Sequence, residues 1–297
     1  MLSTRSITPS SSSLRQFMQR HPLVCYFVLA YAFSWLAWLP YILSKSGLGF
    51  FPVLLSQFAI LPGAYLGPCL SGFLMTAVTE GKPGIHRLLR RFVLWKVGWQ
   101  WYLFTLIGVP MFLFLGYATQ SGSGAAFHFP FPQFLWVYPL FLILEIFTSG
   151  LAEEPGWRGF ALPRLQERYG PLLGTVMLGL LWGGWHLPLF LTAWADGSNL
   201  LGICEFFLTT ISVAILITWV FNHTRGSLLM AILLHASHDT FGSVSVVTGL
   251  FQTQWMLKNA TSGTLIGVGV VALLLIIVTR SRLGSQQASE DEGTSAA

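Results

Sequence analysis

Long apolar stretches recur along the whole chain and constrain its fold more than any other feature of the sequence. Each is close to the roughly 20 residues that a helix needs to cross the ~30 Å hydrocarbon core of a bilayer. Only 9% of the residues are charged, against about a quarter in soluble domains. The sequence therefore predicts an all-α, polytopic transmembrane helical bundle, and thus an integral, multi-pass membrane protein.

Length and hydropathy predict eight spans, since a helix that is apolar on every side gives no periodic signal. With the N-terminus in the cytoplasm, 14 of the 16 Lys and Arg residues fall on the inner side, and only Lys45 and Lys258 fall outside. This asymmetry predicts an N-in, C-in topology. It also accounts for the net charge of +5, so no nucleic-acid partner is expected. The predicted spans are residues 23–43, 53–79, 99–119, 134–152, 171–192, 199–222, 226–248 and 263–280.

The two ends of the chain differ in composition from the predicted transmembrane domain, residues 23–280. Residues 1–22 are rich in Ser and Arg, a composition that suits both a cytoplasmic tail and an organelle transit peptide; we favour the tail. Residues 281–297 are polar and are predicted to be a disordered C-terminal tail. If the source is bacterial, the membrane is expected to be the plasma membrane.

Ionisable residues enter three of the predicted spans. Such a group at membrane depth costs several kcal/mol unless it is paired or hydrated, so each one is a functional candidate. Helical i, i+4 spacing places Glu154 with Arg158, and His235 with Asp239, on common faces. The three polar faces are best satisfied by turning toward one another, which predicts one buried, hydrated site. The candidates are Glu153 and Glu154 at the end of the fourth span, with Arg158 just after them, His186 in the fifth, and His235, His238 and Asp239 in the seventh.

Three motifs occur in order on these spans. They are EEPGWR, which fits Glu-Glu-x-x-x-Arg, WGGWH, which fits Phe/Trp-x-x-x-His, and HASHD, which fits His-x-x-x-Asn/Asp. Together with the flanking RGFALPRLQERYGP and HLPLF, they resemble the CPBP family of intramembrane endopeptidases, which includes the CAAX prenyl proteases and the Abi-like bacterial proteins. The resemblance covers roughly residues 140–245, and all three motifs lie inside it. It implies a peptidase that works within the membrane.

The resemblance also implies roles for the motif residues. Glu153 and His186 are expected to bind and activate a water that attacks the scissile carbonyl, with the glutamate accepting its proton. Glu154 is expected to be positioned by Arg158, which also neutralises one of two adjacent carboxylates. His235 is expected to stabilise the oxyanion of the tetrahedral intermediate.

Asp239 departs from the asparagine that many relatives have at this position. An asparagine amide can donate a hydrogen bond to an oxyanion, whereas an ionised aspartate can only accept. Asp239 must therefore be protonated, or it must orient His235 and keep that ring positively charged; we favour the second reading. His238, Glu145 and Glu205 match no motif position and are interpreted as supporting or structural groups.

The sequence leaves several functions open. No cofactor is expected, but a zinc-dependent peptidase remains an alternative, because two histidines and several carboxylates are also zinc ligands. An ion-coupled carrier or a membrane scaffold is a further alternative, since buried carboxylates and histidines also build proton relays. The expected partners are the lipid bilayer and a membrane-associated or lipidated, CAAX-type peptide.

Overall fold

The computed structural model describes residues 11–195 and 199–285, and within these ranges the chain forms helices and no strand. Residues 1–10 and 286–297 of the two predicted tails lie outside the described ranges. Two short helices, Ser123–Ala126 and Thr253–Lys258, lie in connections between longer ones. The longer helices are α1 (Ser11–Arg20), α2 (Pro22–Leu43), α3 (Gln57–Phe92), α4 (Trp99–Ala118), α5 (Gln133–Tyr169), α6 (Pro171–Leu191), α7 (Leu200–His223), α8 (Leu228–Thr248) and α9 (Ala260–Val278).

Seven of these helices, α2 to α7 and α9, are long and apolar enough to cross a membrane. The predicted class, an all-α integral membrane protein with several spans, is confirmed. Helix α8 has 21 residues, which is also sufficient length, but it is not among the seven. Its two histidines and its aspartate lower its hydropathy. The count of eight spans and the N-in, C-in topology stay predictions.

The largest difference from the predicted spans is at the fourth, which we expected to end at residue 152. Helix α5 instead continues to Tyr169, so the Glu-Glu-x-x-x-Arg motif lies inside a helix. Wide, π-helical turns at Ile146–Gly150 and Trp157–Ala161 flank the two glutamates, and Pro155 follows them directly. Proline has no N–H to donate, and wide turns of this kind are frequent at functional sites.

Close helix approach depends on glycine at two points near the motifs. A Cβ on Gly156 of α5 would lie 2.2 Å from the backbone oxygen of Pro68 on α3. A Cβ on Gly179 of α6 would lie 2.6 Å from the Cα of Ile211 on α7. Gly179 therefore lets α6 pack closely against α7, rather than against another of the helices that carry the motifs.

Both predicted tails have a part that the structure describes. Helix α1 belongs to the N-terminal one. Near the C-terminus, Leu283 is buried, and its backbone oxygen accepts a hydrogen bond of 2.9 Å from Nδ2 of Asn222. On the outside of the bundle, large apolar side chains such as Trp136, Leu200 and Val278 are more than three-quarters exposed, as expected for a surface that faces lipid.

Candidate active site

The polar faces of α5, α6 and α8 meet at a cavity of about 580 Å³, which is within the usual range for ligand sites. Four of the six predicted site residues line this cavity: Glu153, His186, His235 and Asp239. The other two, Glu154 and Arg158, are fully buried behind its wall. The structure therefore brings all six together, in two layers.

Glu153 is 6% exposed and lines the cavity. Its Oε2 accepts two hydrogen bonds from indole N–H groups, 3.1 Å from Nε1 of Trp157 and 2.6 Å from Nε1 of Trp182. No group among the described residues donates to its Oε1. One oxygen is thus held by the protein, and the other is available to a water.

Glu154 is the centre of the layer behind the cavity. Its Oε1 accepts a hydrogen bond of 2.8 Å from a terminal nitrogen of Arg158, and Nδ1 of His235 lies 2.8 Å from the same oxygen. The carboxylate and the guanidinium are both fully buried. The i, i+4 pair predicted from the sequence is therefore present, and it reaches a second helix through His235.

His235 lies between two carboxylates. Its Nδ1 contacts Glu154, and its Nε2 is 3.5 Å from Oδ2 of Asp239. Two flanking carboxylates favour a ring that carries protons on both nitrogens. The distance to Asp239 exceeds the 2.7–3.2 Å of an ordinary N–H···O hydrogen bond, so the Nε2 proton remains available to a group in the cavity.

His186 lies where the α-helical part of α6 ends and a tighter 3₁₀ turn, Leu187–Leu191, begins. Its Nδ1 is 2.9 Å from the backbone oxygen of Trp182. Since a carbonyl oxygen only accepts, Nδ1 is the donor, and in the neutral ring Nε2 is left as an acceptor. Aromatic rings enclose it, with Trp185 at 4.6 Å and Trp194 at 5.5 Å between centroids.

The cavity also holds polar residues to which the sequence assigned no specific role. Glu145 lines it and accepts hydrogen bonds from the hydroxyls of Ser243, at 2.8 Å, and Thr148, at 2.9 Å. His238 lines it as well, and its Nδ1 is 2.8 Å from Oδ1 of Asp239. The sequence did carry a signal for Glu145, a carboxylate inside an apolar span. For His238 the only signal was its position next to Asp239.

The two indoles that hold Glu153 could not be distinguished in the sequence from packing tryptophans. Trp157 is fully buried and Trp182 is 5% exposed. The i, i+4 spacing from Glu153 to Trp157 was a signal for the first contact. The second joins α5 to α6 across 29 residues, and no local pattern reports such a pairing.

Much of the remaining wall of the cavity is apolar. Its lining includes Phe58, Leu144 and Val247, which are 56%, 38% and 59% exposed. The cavity thus extends from the buried carboxylates to the apolar surface that faces lipid. Within the described ranges it is lined by three carboxylates, those of Glu145, Glu153 and Asp239, and by no Lys or Arg.

Side chains of the types that bind metals, His, Cys, Asp and Glu, are present among the described residues. No group of three or more His, Cys, Asp and Glu side chains there is arranged to hold a metal ion. Two of the histidines contact carboxylates instead, His235 with Glu154 and His238 with Asp239.

The part of the chain that holds this site is similar to a known family of proteins. Residues 134–241 match the family model described as type II CAAX prenyl endopeptidase Rce1-like. The predicted family resemblance is confirmed. The Rce1-like region, residues 134–241, contains all six predicted site residues and both indoles that hold Glu153.

A curated relative matches in part. The CAAX prenyl protease 2 of Methanococcus maripaludis is 35% identical over 102 residues, which is 32% of this chain. The chain spans 36% of the length of this relative. The matched stretch is thus about a third of each protein.

Proposed function

We propose that the chain is an intramembrane endopeptidase that hydrolyses a peptide bond with a water activated by Glu153 and His186. The observation that carries the proposal is the cavity itself, where Oε1 of Glu153 and the acceptor nitrogen of His186 are both without a protein partner among the described residues. The likeness of the Rce1-like region to CAAX prenyl endopeptidases supports a peptidase.

The proposed reaction uses these groups in sequence. Glu153 accepts a proton from the water, and the water oxygen forms a bond to the scissile carbonyl carbon. Nε2 of His235 donates to the resulting oxyanion. The C–N bond then breaks as the proton held by Glu153 passes to the leaving nitrogen, which regenerates the carboxylate and releases an acid and an amine.

Glu154 and Arg158 act behind the wall in this proposal. Arg158 neutralises Glu154, and Glu154 in turn holds Nδ1 of His235 so that Nε2 faces the cavity. Asp239 lies on the other side of the ring, and its carboxylate helps to keep the ring protonated. In this reading an aspartate serves the site indirectly, through His235, where asparagine would donate to the oxyanion itself.

The proposed substrate is a membrane-associated or lipidated peptide of the CAAX type. The apolar wall at Phe58, Leu144 and Val247 would let such a peptide enter from the lipid, while the polar end of the cavity receives the peptide bond. The name of the relative from Methanococcus maripaludis supports a prenylated substrate.

The first test is cleavage of fluorescence-quenched peptides, one of them a farnesylated CAAX peptide, by the purified protein in detergent. Wild-type protein should cleave at least one peptide, and Glu153→Gln should lower kcat by at least about 10³-fold, because it removes the base but keeps the shape. Thermal unfolding of both proteins checks that the variant is folded. Equal rates for the two would remove Glu153 from the reaction.

A zinc-dependent peptidase with the same site is the second candidate. The observation that favours it is the lining of three carboxylates without a Lys or Arg among the described residues, which would attract a cation. The metal-free mechanism expects cleavage to persist after dialysis against 1,10-phenanthroline. Loss of cleavage that added Zn²⁺ restores would favour the zinc-dependent reaction instead.

A further inference from the structure

Two tryptophans from different helices donate to one oxygen of Glu153. Nε1 of Trp157, on α5, is 3.1 Å from Oε2, and Nε1 of Trp182, on α6, is 2.6 Å from it. An indole N–H only donates, and a carboxylate oxygen has two lone pairs. Both acceptor sites of Oε2 are therefore occupied, and the orientation of the whole carboxylate is set.

Each indole is itself held in place. Trp157 is fully buried and packs edge-on against Tyr26 and Trp185, with ring centroids 5.7 Å away in both cases. Trp157 has no room to turn its N–H elsewhere in a core of this density. The direction of this donor is thus fixed by packing rather than by the carboxylate.

Trp182 contacts a site residue on each of the three motif helices. The guanidinium carbon of Arg158 lies 4.9 Å from its ring centroid, and the ring of His235 meets it edge-on at 5.1 Å. Its backbone oxygen accepts from Nδ1 of His186. One residue therefore contacts the base, the guanidinium behind the wall and both histidines.

We propose that Trp157 and Trp182 are positioning residues that hold Oε2 of Glu153 and so direct Oε1 to the water. The inference rests on the proposed peptidase reaction. A base must be within hydrogen-bond reach of the proton it accepts, and a displacement of about 1 Å can cost a hundredfold in rate. Phenylalanine at either position would keep the apolar bulk and lose the donor.

The kinetic test compares Trp182→Phe and Trp157→Phe with a matched control, Trp38→Phe. Trp38 is also fully buried and does not itself line the cavity, and its Nε1 donates to a backbone oxygen, that of Ile60, at 2.7 Å rather than to a site residue. On the best peptide of the panel we expect each of the first two variants to lower kcat by about 10- to 100-fold, the value of one hydrogen bond to a charged group. KM should stay within about twofold, and Trp38→Phe should change neither constant by more than that.

A second arm reads the hydrogen bonds without any substrate. The chain has 12 tryptophans, so indole ¹⁵N–¹H spectra in detergent are sparse, and Trp157→Phe, Trp182→Phe and Trp38→Phe assign three of the signals. Glu153→Gln should shift the Trp157 and Trp182 signals, because the charged acceptor is lost. It should leave the Trp38 signal in place.

The two arms separate this inference from the proposed function. Rates of Trp157→Phe and Trp182→Phe equal to that of Trp38→Phe would overturn the positioning role and leave the peptidase standing; a change confined to KM would overturn it too. If one variant does not fold, the other decides. If the wild type cleaves nothing, the proposed peptidase function fails. If Glu153→Gln leaves the Trp157 and Trp182 signals unshifted, the proposed contact of the two indoles with Glu153 is overturned as well.

Discussion

Two clusters of paired charges on α3, α5 and α8 use the same chemistry in different surroundings. In the first, Arg158 and Glu154 are fully buried and 2.8 Å apart. In the second, Glu80 pairs with Arg164 and also with Arg87 at 2.5 Å, and these side chains are 20–63% exposed. Solvent can replace the partners in the second cluster but not in the first. An Arg–Glu ion pair is therefore a structural requirement in the buried cluster and a small contribution to stability in the exposed one.

The largest effect is expected for Arg158→Leu. It leaves the buried carboxylate of Glu154 without its cation, and removal of one partner of a buried pair typically costs about 3–5 kcal/mol. Activity should be lost as well, because Arg158 no longer neutralises Glu154, the carboxylate that holds His235 in place. Unfolding by heat or SDS, beside peptide cleavage, measures both.

Arg164→Leu is the matched variant for that prediction, since it removes an arginine from the same helix and leaves Glu80 paired with Arg87. If Arg158→Leu is no more destabilising than Arg164→Leu, burial does not distinguish the two clusters.

An intermediate effect is expected for Asp239→Asn at the edge of the first cluster. The side chain of Asp239 is 31% exposed, and an amide would add a donor near the oxyanion. We expect kcat to be retained or raised by up to about 10-fold, with normal folding. Complete loss of cleavage in a folded variant would mean that the carboxylate itself takes part in the chemistry.

The smallest effect is expected for Glu80→Gln in the second cluster. Exposed ion pairs contribute about 0–1 kcal/mol, and glutamine can still hydrogen-bond to the arginines. The free energy of unfolding should fall by less than about 1 kcal/mol, and cleavage should be unchanged. A larger loss of stability would show that the second cluster behaves like a buried one.

Much of the fold could be predicted because the bilayer fixes the length of a span. The helices at Pro22–Leu43, Trp99–Ala118 and Pro171–Leu191 begin and end within one residue of the predicted spans. The fourth span was misjudged at its end because Glu153 and Glu154 were taken to mark the boundary of the hydrocarbon, whereas the helix continues through them. Hydropathy reports where apolar residues stop, not where the backbone ceases to be helical.

The candidate site was predictable in its members but not in its contacts. Spacing alone paired Glu154 with Arg158 and placed His235 near Asp239. The contact of Glu154 with His235 crosses 81 residues, and that of Glu153 with Trp182 crosses 29. Such contacts depend on how α5, α6 and α8 rotate about their axes, and helices that are apolar nearly all round give little information on rotation.

The wide turn at Ile146–Gly150 changes the rotational phase of α5. In a regular helix each residue advances about 100°, so Glu145 and Glu153, eight residues apart, would point about 80° from each other. A wide turn accommodates one extra residue, which brings the two carboxylates to within about 20°, and both line the cavity. Deleting one residue between them would close the wide turn and keep this alignment, because seven regular steps also bring the two carboxylates to within about 20°. Inserting one residue would instead turn Glu145 about 80° away, so this segment tolerates a deletion better than an insertion.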